Sequence, residues 1–322
     1  MRSQIFRWLA MAVALVGGLA AAEAQTVVNL SHRPAAVPAA YVITPFGYFD
    51  ASCVVHLAEG DELRASQGII RHSNGTTVST PTCSFPHYRA DGEKVERDER
   101  AIQTPDISHA WVEYAGVSNN TAYGSLYAEW SVPPTPTSND GQTLFYFTGF
   151  EDTNDVVTIL QPVLGWNSDY KSAWGIASWN CCQNGTVYEA PSQPASPGDT
   201  IFGYMWNNCA AGTLTCTAWN IVTWDLQNNK YSQLLSTSNF NQTFNWAFGG
   251  VLEVYNIAQC SDYPTRTGYW GSGDISFNQI GLYNYKGNRV TSPPWTQSVT
   301  SGLTPSCSYQ VGLPNQVILK AN

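Results

Sequence analysis

Two apolar runs in the C-terminal two thirds of the chain each contain one polar residue that could do chemistry. Gln161 follows Ile159 and Leu160, and Glu253 lies within the run 248–255. An amide or a carboxyl group is costly to bury in a strand unless it is hydrogen-bonded or has a function. A carboxylate can take a proton from water and return it, and an amide N–H can stabilise an oxyanion. The pair therefore has the chemistry needed to hydrolyse an amide bond.

The structural alternative is that Gln161 and Glu253 are hydrogen-bonded core or edge residues, or lie on a solvated strand face. Two facts favour a site. Residues 111–322 contain only 13 carboxylate side chains, and none of the five histidines follows His109. A Ser-His-Asp triad, a Cys-His pair and a zinc site built on histidine are therefore excluded from this region.

The spacing of these residues resembles that of the glutamic peptidases of the eqolisin type, which are secreted acid endopeptidases. In that family a Trp-x-Gly-x-Asp motif precedes the catalytic Gln, which follows the Asp by ten residues. Here Phe147, Gly149 and Glu151 occupy the motif positions, and Gln161 follows Glu151 by ten residues. Glu253 stands 24 residues before Phe277 of the Gly-x-x-x-Phe segment 273–277, and the family's catalytic Glu stands roughly two dozen residues before such a strand.

The resemblance extends over residues 111 to about 285. It includes Tyr114-Ala-Gly116 and residues 128–133 upstream, and the phrase from Gly249 to Asn256 is also similar to neprosin, a related glutamic peptidase. The chain departs from the family in having Phe147 and Glu151 in place of Trp and Asp. The resemblance implies a peptidase that acts on proteins or peptides without cofactor or metal. The implied residues are Gln161 and Glu253 for catalysis, and Glu151, Trp174 and Phe147 for substrate binding.

From residue 111 onward, short apolar or alternating runs are separated by Pro, Gly and Asn, and no long 3.6-residue period is present. This pattern predicts an all-β fold, an antiparallel β-sandwich of the concanavalin or jelly-roll kind. The strands are expected at 123–132, 143–150, 156–164, 172–179, 200–206, 218–226, 244–257, 274–285 and 316–319.

The region before the sandwich divides into two parts. Residues 1–24 have a basic start, an apolar run at 8–20 and a small-x-small end, which predicts a cleaved signal peptide and a protein that is secreted to the periplasm or the extracellular space. Residues 25–110 are predicted to be a pro-segment, and 111–322 the catalytic domain. The charged run 89–100 is either a solvated helix or linker, or a connector that is cut on activation.

The composition limits the kinds of molecule that the protein is expected to bind. After signal cleavage the formal charge is −10, which makes a poor nucleic-acid binder. No run is long enough for a membrane span, and we expect a monomer. Only 12% of residues are charged. When the carboxylates are neutralised at acid pH, few Lys and Arg side chains remain to repel one another, so the composition is compatible with activity at acid pH. All five histidines lie in or beside the pro-segment, where they are either plain loop residues or part of a pH switch.

Eight cysteines in an exported chain suggest up to four disulfides. We expect one between Cys53 and Cys83, which precede all others, and one between Cys209 and Cys216. For the adjacent residues Cys181 and Cys182, metal ligation is the alternative to disulfide formation.

Two other functions remain open. A carbohydrate-active or carbohydrate-binding sandwich would use its tryptophans to stack on sugars, and Glu151 and Glu253 could serve as a glycosidase pair. The second possible function is that of a non-catalytic surface module. It is compatible with the Asn-x-Ser/Thr glycosylation motifs at Asn29, Asn74, Asn119, Asn184 and Asn241.

Overall fold

The computed structural model describes residues 28–64, 67–95, 110–153, 158–182, 185–238, 240, 242–265 and 273–321. The predicted signal peptide, His109 and residues 96–100 of the charged run lie outside these ranges. Short 3₁₀ helices are present at Ala51–Cys53 and Cys260–Asp262. No helix within the described ranges is long and apolar enough to cross a membrane.

Within these ranges the chain forms 25 strands. In chain order they are β1 (Val28–Asn29), β2 (Tyr41–Thr44), β3 (Gly47–Asp50), β4 (Val54–His56), β5 (Glu62–Arg64), β6 (Ile69–Arg71), β7 (Thr77–Ser79), β8 (His87–Tyr88), β9 (Lys94–Val95), β10 (Trp111–Ser118), β11 (Tyr123–Ser131), β12 (Thr143–Glu151), β13 (Ile159–Trp166), β14 (Trp174–Cys181), β15 (Val187–Glu189), β16 (Gln193–Ala195), β17 (Thr200–Asn207), β18 (Trp219–Asp225), β19 (Lys230–Thr237), β20 (Trp246–Tyr255), β21 (Ile275–Asn284), β22 (Thr296–Val299), β23 (Leu303–Thr304), β24 (Gln310–Gly312) and β25 (Val317–Lys320).

Two large sheets form the body of the molecule. The first has the order β22-β10-β20-β12-β13-β14-β15-β4, with β16 also paired to β14, and the second has the order β24-β25-β21-β11-β17-β18-β19-β5-β6-β7. Pairing between strands of residues 111–322 is antiparallel. The predicted fold class, an all-β sandwich, is confirmed.

The two sheets pack face to face through apolar side chains. The first sheet contributes residues such as Tyr146 and Leu252, which join Trp130, Ile201 and Phe277 of the second sheet in one buried cluster. Alternation along each strand sends every second side chain into this inter-sheet core. The strands β12, β13, β14 and β20 are nevertheless buried at every residue. Their outer face, directed away from the second sheet, must therefore be covered as well.

The N-terminal segment, residues 28–95, provides this cover. Its buried residues Tyr48, Phe49 and Cys53 share one apolar cluster with Phe147 and Val251 of the first sheet. Four of its strands form a small sheet of order β2-β3-β8-β9. The segment also extends both large sheets, because β4 pairs in parallel with β15 and β5 in parallel with β19.

Four disulfides are present, and they include the two predicted pairs, Cys53–Cys83 and Cys209–Cys216. Cys260 is bonded to Cys307. Cys181 and Cys182 are bonded to each other, so the metal-ligation alternative for this pair is wrong: their sulfur atoms are already used in a covalent bond.

All nine strands that the sequence predicts are present, with ends displaced by at most a few residues. Others were not predicted, notably β10, β19 and the short strands of the N-terminal segment. The strands of the N-terminal segment are all two to four residues long, too short for alternation to be read from sequence.

Candidate functional site

A bulge in β20 decides which way Glu253 faces. Phe147 of β12 stands opposite Val251, and Gly149 stands opposite Phe248, so β20 uses one residue more than β12 between these pairs. The extra residue reverses the alternation, and side chains on both sides of the bulge then share a face. The bulge contains Gly249 and Gly250. A β-carbon on Gly250 would come within 2.6 Å of the Phe277 ring, which explains the glycine.

Gln161 faces the same side from the other neighbour of β12. It pairs with Trp179 across β14, while Glu253 pairs with Phe145 across β12. Residues paired directly across antiparallel strands share a face, and Trp179 and Phe145 both belong to the apolar cluster of the outer face. Gln161 and Glu253 therefore lie on one face of the first sheet, on the two strands that flank β12.

Glu253 is fully buried and holds two hydrogen bonds from side chains. The Trp111 indole Nε1 donates to Oε2 at 2.8 Å, and the Tyr255 hydroxyl donates to Oε1 at 2.5 Å. Burial raises the pKa of Glu253 to about 8, while the bonds from Tyr255 and Trp111 act in the opposite direction. The solvated-face alternative for this residue is therefore wrong. Both of these hydrogen bonds come from aromatic side chains.

Gln161 is also fully buried, and it contacts the N-terminal segment. Its Nε2 donates to the main-chain carbonyl of Pro45 at 3.0 Å. Its Oε1 has no hydrogen-bond partner among the described residues. Pro45 lies in the turn between β2 and β3, so the amide of Gln161 holds a peptide carbonyl of its own chain.

The hairpin of β2 and β3 covers the outer face around this contact. The Tyr48 ring packs edge-on against Tyr255, with ring centres 5.2 Å apart. Phe49 is stacked on His87 at 4.7 Å. Burial, and then the charge of Arg89, lower the pKa of His87 to about 4. A neutral histidine is thus part of the cover, and it is one of the histidines to which the sequence assigned a possible pH switch.

Glu151, the last residue of β12, stands opposite Trp246 on the same outer face. It is fully buried, and burial followed by the charge of Glu253 raises its pKa well above the ordinary range. Phe147 lies on this face too, edge-on to the Trp111 ring at 5.7 Å. Two of the three predicted substrate-binding residues thus share a face with Gln161 and Glu253.

Trp174 is different. It lies in the inter-sheet core, 5.3 Å from the Trp166 ring and 6.1 Å from Tyr146. Because β14 directs Trp179 to the outer face and Trp174 to the inner one, Trp174 does not line the candidate site. The structure thus places this predicted substrate-binding residue on the face opposite to that of Gln161 and Glu253.

Sequence reasoning missed three contributors to the site: Trp111, Tyr255 and Pro45. Tyr255 lies two residues after Glu253, a spacing that places both on one strand face and was a usable signal. Trp111 and Pro45 are brought in by strand order and by the fold of a distant segment, for which the sequence carries no local signal. In the part of the chain that is described, no group of three or more His, Cys, Asp and Glu side chains is placed to hold a metal ion.

Comparisons with known proteins give a partial likeness. No protein-family model matches the sequence, and no curated protein does. A scytalido-glutamic peptidase bound to a transition-state analogue inhibitor is similar in structure at 12% identity, over 66% of this chain and 98% of that chain, with a TM-score of 0.47. SCP-B, a member of the eqolisin family of peptidases in complex with a tripeptide, has the same identity and coverage and a TM-score of 0.44. A toad ovary galectin complexed with thio-digalactose gives 11% identity, 52% and 98% coverage, and a TM-score of 0.29. At these TM-scores the likeness carries no conclusion about activity.

Proposed function

We propose that the chain is a peptide hydrolase of the glutamic type, in which Gln161 and Glu253 act on a water molecule and an amide carbonyl. One observation carries the proposal. The amide of Gln161 donates to a main-chain carbonyl, that of Pro45, which is the group that a peptide substrate presents. Glu253, the only ionisable member of the pair, faces the same side one strand beyond β12.

The reaction needs no group beyond these two and water. The Glu253 carboxylate takes a proton from water, and the hydroxide forms a bond to the carbonyl carbon of the substrate. Gln161 Nε2–H donates to the oxyanion that develops. The protonated Glu253 then gives its proton to the amide nitrogen as the C–N bond breaks. The products are a carboxylic acid and an amine, and Glu253 is again a carboxylate.

In the covered state this cycle is blocked. Gln161 and Glu253 are fully buried, and the position for a substrate carbonyl is taken by Pro45. With its pKa near 8, covered Glu253 is protonated at acid pH, which is the wrong form for a general base. Displacing the hairpin lets water reach the carboxyl, and solvation lowers its pKa toward the ordinary range. We therefore take the N-terminal segment to be an inhibitory pro-segment, and the acid optimum to be a property of the uncovered enzyme.

Secretion is part of the same proposal. The four disulfides favour an oxidising compartment, where such bonds persist. Protein or peptide chains would be the substrates there.

The test uses the full-length protein, secreted and then incubated at pH 4, with casein as substrate. Glu253→Gln should abolish hydrolysis, and Gln161→Ala should reduce it by about two orders of magnitude, the usual effect of losing one oxyanion donor. Glu129→Gln, on the solvent-facing side of β11, is the matched control. Near-wild-type activity of a folded Glu253→Gln protein would refute the proposal. N-terminal sequencing after the incubation tests activation, because cleavage is expected between about residues 95 and 110, which leaves β10 and Trp111 in the activated protein.

One observation supports the glycosidase alternative. Glu151 and Glu253 share a face of the sheet, and after burial the charge of Glu253 is the second cause that raises the pKa of Glu151. The same incubated protein should therefore be assayed on a β-glucan alongside casein at pH 3 to 5. Release of sugar without release of peptides would favour the carbohydrate reading.

A further inference from the structure

A second polar contact joins the N-terminal segment to the first sheet, at a buried carboxyl group other than that of Glu253. The imidazole Nδ1 of His56 lies 2.6 Å from Oε2 of Glu189. The His56 side chain is 70% exposed, whereas that of Glu189 is 2% exposed. The Glu189 carboxyl therefore lies just beneath the surface, where a side chain that arrives from outside can reach it.

The strand register places Glu189 on the face of the candidate site. Gln161 of β13 pairs with Trp179 of β14, and Trp179 pairs with Glu189 of β15. Residues paired directly across antiparallel strands share a face. Glu189 is thus two strand spacings, about 10 Å, from Gln161 in one row of the outer face. Because an extended chain advances about 3.3 Å per residue, a peptide spans this distance with about three residues.

The N-terminal segment approaches Glu189 in the manner of an extended peptide ligand. β4 pairs in parallel with β15, which sets His56 opposite Glu189, and the Leu57 N–H donates to the Glu189 carbonyl at 2.8 Å. When a peptide adds a strand to a sheet edge, main-chain bonds hold it and pockets for its side chains select it. Pro45 likewise presents a main-chain carbonyl to Gln161. The segment thus contacts the row of Gln161 and Glu189 at both ends.

The chemistry around Glu189 favours a cationic ligand. Among the described residues, His56 is the only basic side chain within 4 Å of its carboxyl oxygens, and no other nitrogen donates a hydrogen bond to them. Burial, followed by the charge of nearby Asp169, raises the pKa of Glu189 to about 11. A cation beside the two carboxyl groups acts in the opposite direction and stabilises the carboxylate. Positive charge is therefore what this position lacks.

We propose that Glu189, with Asp169 beside it, forms a specificity subsite that receives a Lys, Arg or protonated His side chain of the substrate. This inference rests on the proposed peptidase function. His56 occupies the subsite in the covered state, as Pro45 occupies the position of the scissile carbonyl. Once the N-terminal segment has left, a substrate bound at Gln161 can place a cationic side chain on Glu189. The subsite selects substrates and takes no part in breaking the bond.

The test measures kcat/KM of the acid-activated protein at pH 5 on paired oligopeptides. The members of a pair differ at one position, which is Lys in one and norleucine, a neutral residue of similar shape, in the other. The pairs cover the four positions on each side of the cleaved bond. At one position, about three residues from that bond, Lys should raise kcat/KM by about tenfold, mainly through KM, as expected of a hydrogen bond between charged groups.

Two substitutions then assign this preference to the subsite. Glu189→Gln keeps the shape of the side chain and removes its charge, and should reduce the Lys-to-norleucine ratio to about threefold or less. Asp169→Asn should reduce it by a smaller factor. The ratio is the readout, because a merely structural role would lower the hydrolysis of both peptides equally. Glu129→Gln, on β11 of the second sheet, is the control and should keep the wild-type ratio.

A wild-type protein that prefers Lys at none of these positions would overturn the inference, and so would an unchanged ratio in Glu189→Gln. If Glu189→Gln does not fold, Asp169→Asn decides: a reduced ratio supports the subsite, and an unchanged ratio overturns it. Glu253→Gln is assayed in parallel to separate the two proposals. If it hydrolyses the peptides, the proposed function fails. If it is inactive and the ratio does not depend on Glu189, only the subsite fails.

Discussion

Trp111 and Glu253 stand opposite each other on the antiparallel strands β10 and β20, and the indole N–H of Trp111 donates to Glu253 Oε2 at 2.8 Å. Both residues are buried. A donor favours the charged form of a carboxyl group, so Trp111, together with Tyr255, opposes the effect of burial on Glu253. Burial thus raises the pKa of the proposed general base, and the two aromatic donors on its own face partly offset that rise.

Replacing Trp111 by Phe removes this donor but keeps an aromatic ring on the outer face. We expect the pKa of Glu253 to rise by about one unit, because a hydrogen bond to a charged group contributes roughly 1.5–3 kcal/mol and one pKa unit is about 1.4 kcal/mol. The acid limb of the pH profile of kcat/KM should move upward accordingly in the activated protein. Tyr114→Phe, on the same strand, should leave that limb in place. An unmoved acid limb in Trp111→Phe would contradict the role of the indole.

His87 should make the covered state acid-sensitive. Its pKa is lowered from 6.5 to about 4 in the folded protein, so the fold excludes a proton that the free segment accepts. The stability that follows is fully present above pH 6.5 and is lost as the pH falls toward 4. Full-length protein should therefore lose up to about 3 kcal/mol of stability across this window through His87.

His87→Phe keeps a ring against Phe49 and cannot be protonated. Denaturant unfolding of both proteins at pH 7, 5.5 and 4 should show their difference in stability changing in favour of the variant as the pH falls. His32→Phe controls for the loss of a histidine, since His32 bonds to Ser31 in an exposed position. A difference that does not depend on pH would exclude His87 as an acid sensor.

Much of the sandwich could be predicted because its strands are long and are separated by Pro, Gly and Asn residues that favour turns. Gln161 and Glu253 were found for the same reason, as single polar residues in apolar runs, and the disulfides Cys53–Cys83 and Cys209–Cys216 followed from their isolation and proximity in sequence. The alternation of side chains along β20 could not predict on which face of the sheet Glu253 lies. Counted in twos from Trp246, Glu253 would lie on the inner face, and only the bulge at Gly249 and Gly250 brings it to the outer one.

The cover could not be predicted for another reason. Gln161 and Pro45 are 116 residues apart, and nothing local to either residue indicates the contact. The position of Trp174 on the inner face could not be predicted for a related reason. A resemblance in sequence supplies a residue type but not the strand face, and here the register of β13 and β14 directs this tryptophan into the inter-sheet core.

Glu253 should give the full-length protein a second pH dependence, opposite in sign to that of His87. Its pKa is raised from 4.5 to about 8 in the folded state. The fold therefore binds the proton more tightly, and this contribution is fully present below pH 4.5 and lost as the pH rises to 8. Glu253→Gln does not titrate, so its stability should fall less than that of wild type between these values, by a few kcal/mol.

The measurement is again denaturant unfolding over a pH series, in which the slope and not the absolute stability is compared. Glu129→Gln is the control, because this residue lies on the solvent-facing side of β11. Parallel slopes for Glu253→Gln and wild type would show that the covered carboxyl is ionised like a surface group.

Gly47 offers a way to loosen the cover without touching Gln161 or Glu253. It begins β3 at φ +122°, and a β-carbon there would come within 2.5 Å of the Tyr88 carbonyl oxygen on the neighbouring strand β8. Gly47→Ala combines this collision with a backbone conformation that costs a non-glycine residue about 1–3 kcal/mol. The hairpin that carries Pro45 should then be displaced more often, and unactivated full-length protein should hydrolyse peptides faster than wild type at the same pH.

Gly75→Ala is the matched control, since Gly75 also has a positive φ, +85°, but stands in an exposed turn with nothing within 4 Å of the added carbon. Equal effects of the two substitutions would mean that general loss of stability, and not release of the hairpin, exposes the site.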